Sequence, residues 1–278
     1  MKITNHKLAA EAKDFDISFE KTPNVSGEFK DGFPNTIILH YTAGASLESS
    51  VVWLKNPKAK ASAHLVVCKT GKIVQLAPFN IRTWHAGKSE WKGRKRLNNS
   101  SIGIEIDNAG LLEKRVDGYY TNFGKKVADK DIVLAKHKHQ EEVKAWEAFT
   151  PEQVAAVEMI CFVLMQQYNI KEILGHEDIS PRRKIDPGPA FPLQNFREKI
   201  LFGRGDDEVG EKLVAEGKIG VVTADLLNIR TNPTLDAAKA GEPLGKGTKV
   251  IVEKTVGEWS FVKVELAGWV SNKWIKKF

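Results

Sequence analysis

Between residues 101 and 107 (SIGIEID) apolar and polar positions alternate, with Ile102, Ile104 and Ile106 on one face and Gly103 and Glu105 on the other. A period of two marks a strand with one buried side, so Glu105 points away from the isoleucine face. A second strand signal, Asn35-Thr-Ile-Ile-Leu-His40, follows Pro34, and Tyr41-Thr-Ala-Gly-Ala then reads as a turn that leaves His40 at the strand's end. Residues 46–56 have helical spacing, with Val51, Val52 and Leu54 as expected core contacts and Pro57 as the stop. Residues 64–68 and 73–76 flank a Lys69-Thr70-Gly71-Lys72 turn and predict a hairpin. The clearest helix begins at Thr150, an N-cap followed by Pro151 at the first helical position and Gln153 to complete a capping box. Val154, Val157, Ile160, Cys161 and Leu164 line one face of it. A short strand at 172–174 leads into Gly175-His176 and a loop to Pro192 that its prolines hold irregular but stiff.

Two stretches break this pattern. Residues 111–149 are rich in charge and poor in periodicity, and they read as a long, partly helical insertion over one face. Beyond residue 202 a glycine-rich, charged segment fits a linker over 203–218. From 219 to 278 the pattern is short strands separated by turns, the signature of a small β-barrel. The expected domains are therefore 1–202, with its insertion, and 219–278.

At 278 residues and 42% hydrophobic content the chain can bury a full core. Its longest apolar runs, such as 36–39 and 159–165, fall far short of the roughly 18 to 20 residues of a membrane-crossing helix, so no membrane insertion is expected. The first twenty residues carry acids throughout and lack the apolar core of a secretory signal. If Met1 is the natural start, export by the general secretory route is not expected. Cys68 and Cys161 lie in apolar surroundings far apart, which predicts buried thiols. A formal charge of +7 favours an acidic partner, nucleic acid or anionic cell-wall polymer alike. No nucleic-acid-binding motif accompanies the charge, so none is expected as a partner.

A hydrolytic zinc site needs three protein ligands and one position open to water, and histidine is the commonest ligand. Of the seven histidines, His137 and His139 sit in a lysine-rich run and read as solvated surface, and His6 lies near a terminus. His40, His64, His85 and His176 remain. In Gly175-His-Glu-Asp-Ile-Ser-Pro-Arg-Arg-Lys184-Ile-Asp186-Pro-Gly188 a histidine, a lysine eight residues on and an aspartate ten residues on share one proline-stiffened loop.

Taken in order, TIILHYTAG, SAHLVVCKTGKIVQL, TWHAG, SIGIEID and GHEDISPRRKIDPGPAFP resemble the type 2 N-acetylmuramoyl-L-alanine amidases, a family that includes bacterial amidases, phage lysins and peptidoglycan recognition proteins. The resemblance covers roughly residues 30 to 200. It implies an α/β fold with a mixed central β-sheet flanked by helices, and a zinc ion held by His40, His176 and Asp186. It further implies Glu105 as the catalytic carboxylate and Lys184 as its cationic helper. Some relatives carry a catalytic Tyr beside the hairpin histidine; here that neighbour is Ala63, so the task falls to Glu105. Two imidazoles and one carboxylate leave zinc a net positive charge that acidifies water and polarises an amide carbonyl. Glu105 would move the proton and Lys184 would face the oxyanion.

By the same resemblance His85, with Trp84 beside it, lines the substrate groove near the metal. His64 is a further candidate for the substrate site, and is expected to order the hairpin or to fix a metal-bound partner through a ring nitrogen. Tyr119, Tyr120 and Trp146 of the insertion are further candidates for stacking on sugar or stem peptide. The segments LNIRTNP, GTKV, WSFVKV and GWV of the C-terminal region resemble a bacterial SH3-type domain, which implies binding to cell wall. The expectation is thus a monomeric zinc amidase of peptidoglycan, in a phage or prophage lysin for preference. The alternatives are a cytosolic enzyme that recycles anhydromuropeptides and a non-catalytic recognition protein.

Overall fold

The structure is a computed structural model that describes residues 1–10, 15–197, 200, 218–230, 239–256 and 259–264. The chain divides into two compact units, Met1–Asp206 and Asp207–Phe278.

Six strands form the central sheet of the first unit. They are β1 (Ile17–Phe19), β2 (Thr36–Tyr41), β3 (Leu65–Val67), β4 (Ile73–Gln75), β5 (Ser101–Ile106) and, after the insertion and its strands, β11 (Glu172–Gly175). The spatial order is β11-β2-β5-β3-β4-β1. The hairpin β3–β4 is antiparallel and every other pairing is parallel, so the sheet is mixed.

The alternation read from the sequence decides what each face carries. Ile37 and Leu39 of β2 and the three isoleucines of β5 pack with the long helix α2 (Pro151–Gln167), through Val157, Ile160, Cys161 and Leu164, in one core. On the opposite face Val66 and Val74 pack with helix α1 (Leu47–Lys55) through Leu47, Val51 and Leu54. Val52, expected in that core, is 69% exposed, because a helix turns about 100° per residue and Val51 and Leu54 already define its buried side. In the parallel register Glu105 lies beside His40, so both fall on the face turned away from α2.

The insertion is β-structured where a partly helical segment was expected. Strands β6 (Glu113–Arg115), β7 (Gly118–Tyr120) and β8 (Lys126–Val127) make a small antiparallel sheet, and β9 (Ile132–Lys136) and β10 (Val143–Glu147) make a hairpin. Its only helical piece among the described residues is one 3₁₀ turn at Asp129–Asp131. Leu112, Val127 and Ala145 with half-buried Tyr119 and Ile132 form a core of its own. Beyond α2, β11 runs directly into the one-turn helix α3 (His176–Ile179), and α4 (Leu193–Arg197) follows the proline-rich loop.

In the second unit β12 (Lys218–Val221), β15 (Lys249–Val256) and β16 (Trp259–Lys263) form an antiparallel sheet, and β13 (Leu226–Leu227) pairs with β14 (Leu244–Gly245). Trp269 and Trp274 of the expected barrel, and nearly all of the expected linker, lie outside the described residues. No helix among the described residues is long and apolar enough to cross a membrane. Cys161 is buried and Cys68 half-buried, and both are free thiols.

Candidate metal centre

Three segments converge at the C-terminal ends of β2 and β11. His40 comes from the end of β2, His176 from the first turn of α3, and Asp186 from the loop that follows. The backbone N–H of Glu177 donates to the Asp186 carbonyl at 2.9 Å, which closes that loop onto the helix. His40 Nδ1 and His176 Nδ1 are 2.9 Å apart, and each lies 3.0 Å from Asp186 Oδ2. All three residues are buried.

The outer nitrogens of the two rings fix which way the inner ones face. His85 Nε2 faces the Ser101 carbonyl at 3.2 Å, so it carries the proton and leaves His85 Nδ1 an acceptor. That acceptor lies 3.1 Å from His40 Nε2, which therefore donates and turns the lone pair of His40 Nδ1 inward. His176 Nε2, 3.3 Å from the Ala86 carbonyl, does the same for His176 Nδ1. Two nitrogen lone pairs and a carboxylate oxygen directed at one point repel one another unless a cation sits between them. The donor set fits a metal ion, and the fixed tautomers are those that ligation requires.

Electrostatics agree with a neutral His40 ring. Burial, and then the neighbouring His176, hold His40 down to about 4, against the pull of Asp186. Burial, with His40 and His64 nearby, also holds His85 well below its ordinary value. Glu105 moves the other way: burial pushes its carboxyl well up, the Asp186 charge adds to this, and Lys184 opposes it.

The open side of the triangle faces a cavity of about 620 Å³, whose lining includes Glu105, Lys184, Arg183, Trp84, Trp53 and Tyr41 as well as the triangle. A second cavity of about 710 Å³ is also lined by Trp84, but not by the triangle or Glu105. The structure therefore brings together six of the residues singled out from sequence: His40, His176, Asp186, Glu105, Lys184 and Trp84. His85 lines the cavity too, but its ring serves chiefly to hold His40. Gly103 makes room for it, since a β-carbon there would lie 2.3 Å from the His85 ring.

Other expected residues lie elsewhere. His64 does not face the cavity: it is buried, donates from Nε2 to the Ile81 carbonyl at 2.8 Å and accepts the Gly103 N–H at Nδ1 at 3.0 Å. Trp146 is also buried, stacked on His137 with its Nε1–H on the Ala135 carbonyl, so it cannot meet sugar. His137, expected in solvent, is 1% exposed because Trp146 covers its ring and Glu177 accepts the hydrogen bond from its Nε2–H. His139 likewise reaches the Glu177 carbonyl at 3.2 Å. Tyr120 is half-buried and donates to Asp117, with Arg115 over its ring. Sequence reasoning missed Arg183, which clamps the carbonyls of Ala86 and Lys88 and the Ser180 hydroxyl; Arg182-Arg183-Lys184 reads locally as a plain basic run.

A mixed sheet here presents two imidazoles and a carboxylate to an open cleft, a group that could hold one metal ion. Residues 30–189 match the N-acetylmuramoyl-L-alanine amidase family model, and the chain belongs to that family. It is 32% identical over 172 residues to the N-acetylmuramoyl-L-alanine amidase AmiD of Escherichia coli, covering 59% of this chain and 52% of AmiD. It is 33% identical over 140 residues to the 1,6-anhydro-N-acetylmuramyl-L-alanine amidase AmpD of the same organism, covering 50% of this chain and 57% of AmpD. The chain thus spans little more than half the length of these relatives. A crystal structure of an AmpD derivative shares the fold, with a TM-score of 0.50 at 23% identity, over 72% of this chain and 99% of that one.

Proposed function

We propose that the chain hydrolyses the amide bond between N-acetylmuramic acid and L-alanine, with zinc held by His40, His176 and Asp186. The observation that carries this reading is the inward-facing donor triangle with Glu105 and Lys184 on the same cavity. Bound zinc would supply Lewis acidity, polarising the scissile carbonyl and acidifying water. Glu105 takes the proton from the attacking water and delivers it to the leaving amine of alanine. Its raised affinity for protons suits the second half of that task. Lys184 places a fixed positive charge where the carbonyl oxygen gains negative charge. His85 keeps the His40 ring in one tautomer throughout.

Two substrate forms fit this chemistry. The names of AmiD and AmpD support muramyl amides in general, and that of AmpD supports soluble anhydromuropeptides at least as well as intact wall. In favour of wall, the resemblance of the C-terminal segments to an SH3-type module and the antiparallel strands of the second unit are consistent with a wall-binding domain, which would raise effective concentration on a polymer. Assays of the full chain on purified sacculi and on soluble anhydromuropeptides separate the two.

Chelation should abolish release of L-alanine amino termini and added zinc should restore it; activity indifferent to metal removal sinks the reading. Glu105→Gln should keep its zinc and lose roughly 10²- to 10⁴-fold in kcat. A wild-type rate in that variant removes Glu105 from the mechanism.

A further inference from the structure

The tip of the β9–β10 hairpin grips the residue that links both halves of the candidate metal centre. His137 Nδ1 accepts the N–H of His139 at 3.2 Å, so its Nε2–H donates to Glu177 Oε2, 2.7 Å away. Lys138 Nζ reaches Glu177 Oε1 at 2.8 Å and Asp178 Oδ1 at 2.5 Å. His139 donates to the Glu177 carbonyl. Both the His137 ring and the Glu177 carboxylate are buried. Glu177 directly follows His176, and its own N–H holds the Asp186 carbonyl. Side chain, carbonyl and N–H of one residue therefore tie the hairpin to one ligand segment and that segment to the other.

A second contact lies on the far side of Asp186. Trp146 of β10 packs on Gly188, where a β-carbon would lie 2.8 Å from the indole, and the same indole stacks on His137 at 5.7 Å. The hairpin thus presses on the chain next to both ligands while lining none of the cavity. Outer-shell partners that fix a ligand's position commonly change metal affinity 10- to 100-fold when removed.

We propose that His137, with Lys138, is a positioning residue that sets the geometry and affinity of the metal centre through Glu177, which makes the β9–β10 hairpin a buttress of the site. The proposal rests on the reading of His40, His176 and Asp186 as metal ligands.

The test uses the full chain loaded with zinc or cobalt. Zinc affinity is measured by competition with a chromophoric chelator, and ligand geometry by the visible spectrum of the Co²⁺ form. His137→Ala should weaken zinc at least about tenfold and alter the cobalt bands. His137→Gln, whose amide can still donate to Glu177, should recover most of both. Lys138→Ala, at an exposed position, should weaken zinc by a smaller factor, about threefold. Affinity within twofold of wild type and an unchanged cobalt spectrum in folded His137→Ala would overturn the proposal. If His137→Ala does not fold, Glu177→Gln decides by the same criterion, since it removes the charge and keeps the shape. Failure of the wild type to bind either metal would instead sink the reading of the site, so the two failures are distinguishable.

Discussion

At the scale of single residues, hydrogen bonding outside the site decides how each histidine inside it behaves. From the Ser101 carbonyl through His85 to His40, each proton position fixes the next. His64 shows the same logic with no metal involved. Burial holds it down to about 4, the bond to Ile81 only partly opposing this, while an unfolded chain takes up the proton near 6.5. Between those values the unfolded state binds more protons, so the stability this neutral ring contributes is complete above pH 6.5 and is lost as pH falls through 4. The loss amounts to about 3 kcal/mol on the scale of 1.36 kcal/mol per pKa unit. His64→Gln retains a donor for Ile81 and an acceptor for Gly103 but cannot titrate. Urea unfolding between pH 7 and 4 should therefore show a flatter pH dependence in that variant than in wild type. Equal slopes in the two would show that His64 is not held neutral.

At the scale of elements, α2 illustrates both a prediction and what a sequence can disclose. The Thr150 hydroxyl accepts the Gln153 N–H at 3.1 Å and donates to the Lys69 carbonyl at 2.6 Å, so one side chain caps the helix and pins the β3–β4 turn. Thr150→Ala should cost about 1 to 2 kcal/mol, read as a lowered Tm, and Thr150→Ser should recover most of it. An unchanged Tm in Thr150→Ala would mean that the cap is replaced by water. This helix and the strand 101–106 were legible because caps and alternation are local signals, each complete within a few residues. The insertion was not. Leu134 and Val143 are exposed on β9 and β10, lysines interrupt the alternation, and its small core is completed only by residues more than thirty positions apart. For the same reason His137 read as surface: the carboxylate that holds it is forty residues on. His40 was visible as a strand-end histidine, but its role needed company from β11 and the loop to Asp186.

At the scale of the whole molecule, the charge of +7 is the property that the site does not use. Nine Lys and Arg against six Asp and Glu fall after residue 218, so the excess is not confined to the first unit. A basic protein gains on-rate toward a polyanionic surface, and salt removes that gain because the screening length falls from about 10 Å at 0.1 M to about 3 Å at 1 M. A small soluble muropeptide carries too few charges to be steered comparably, and on the proposed function its turnover would depend on the cavity beside His40 and Glu105. Raising NaCl from about 0.05 to 0.5 M should therefore raise KM on intact sacculi several-fold while changing KM on soluble anhydromuropeptide less than about twofold. The measurement bears on substrate form as well as on charge. A chain that works on wall uses its basicity to reach the polymer and should show the difference. If salt affects both substrates equally, the positive charge has no part in delivering the enzyme to the wall, and the soluble-fragment reading gains the ground that the second unit had lent to the polymer.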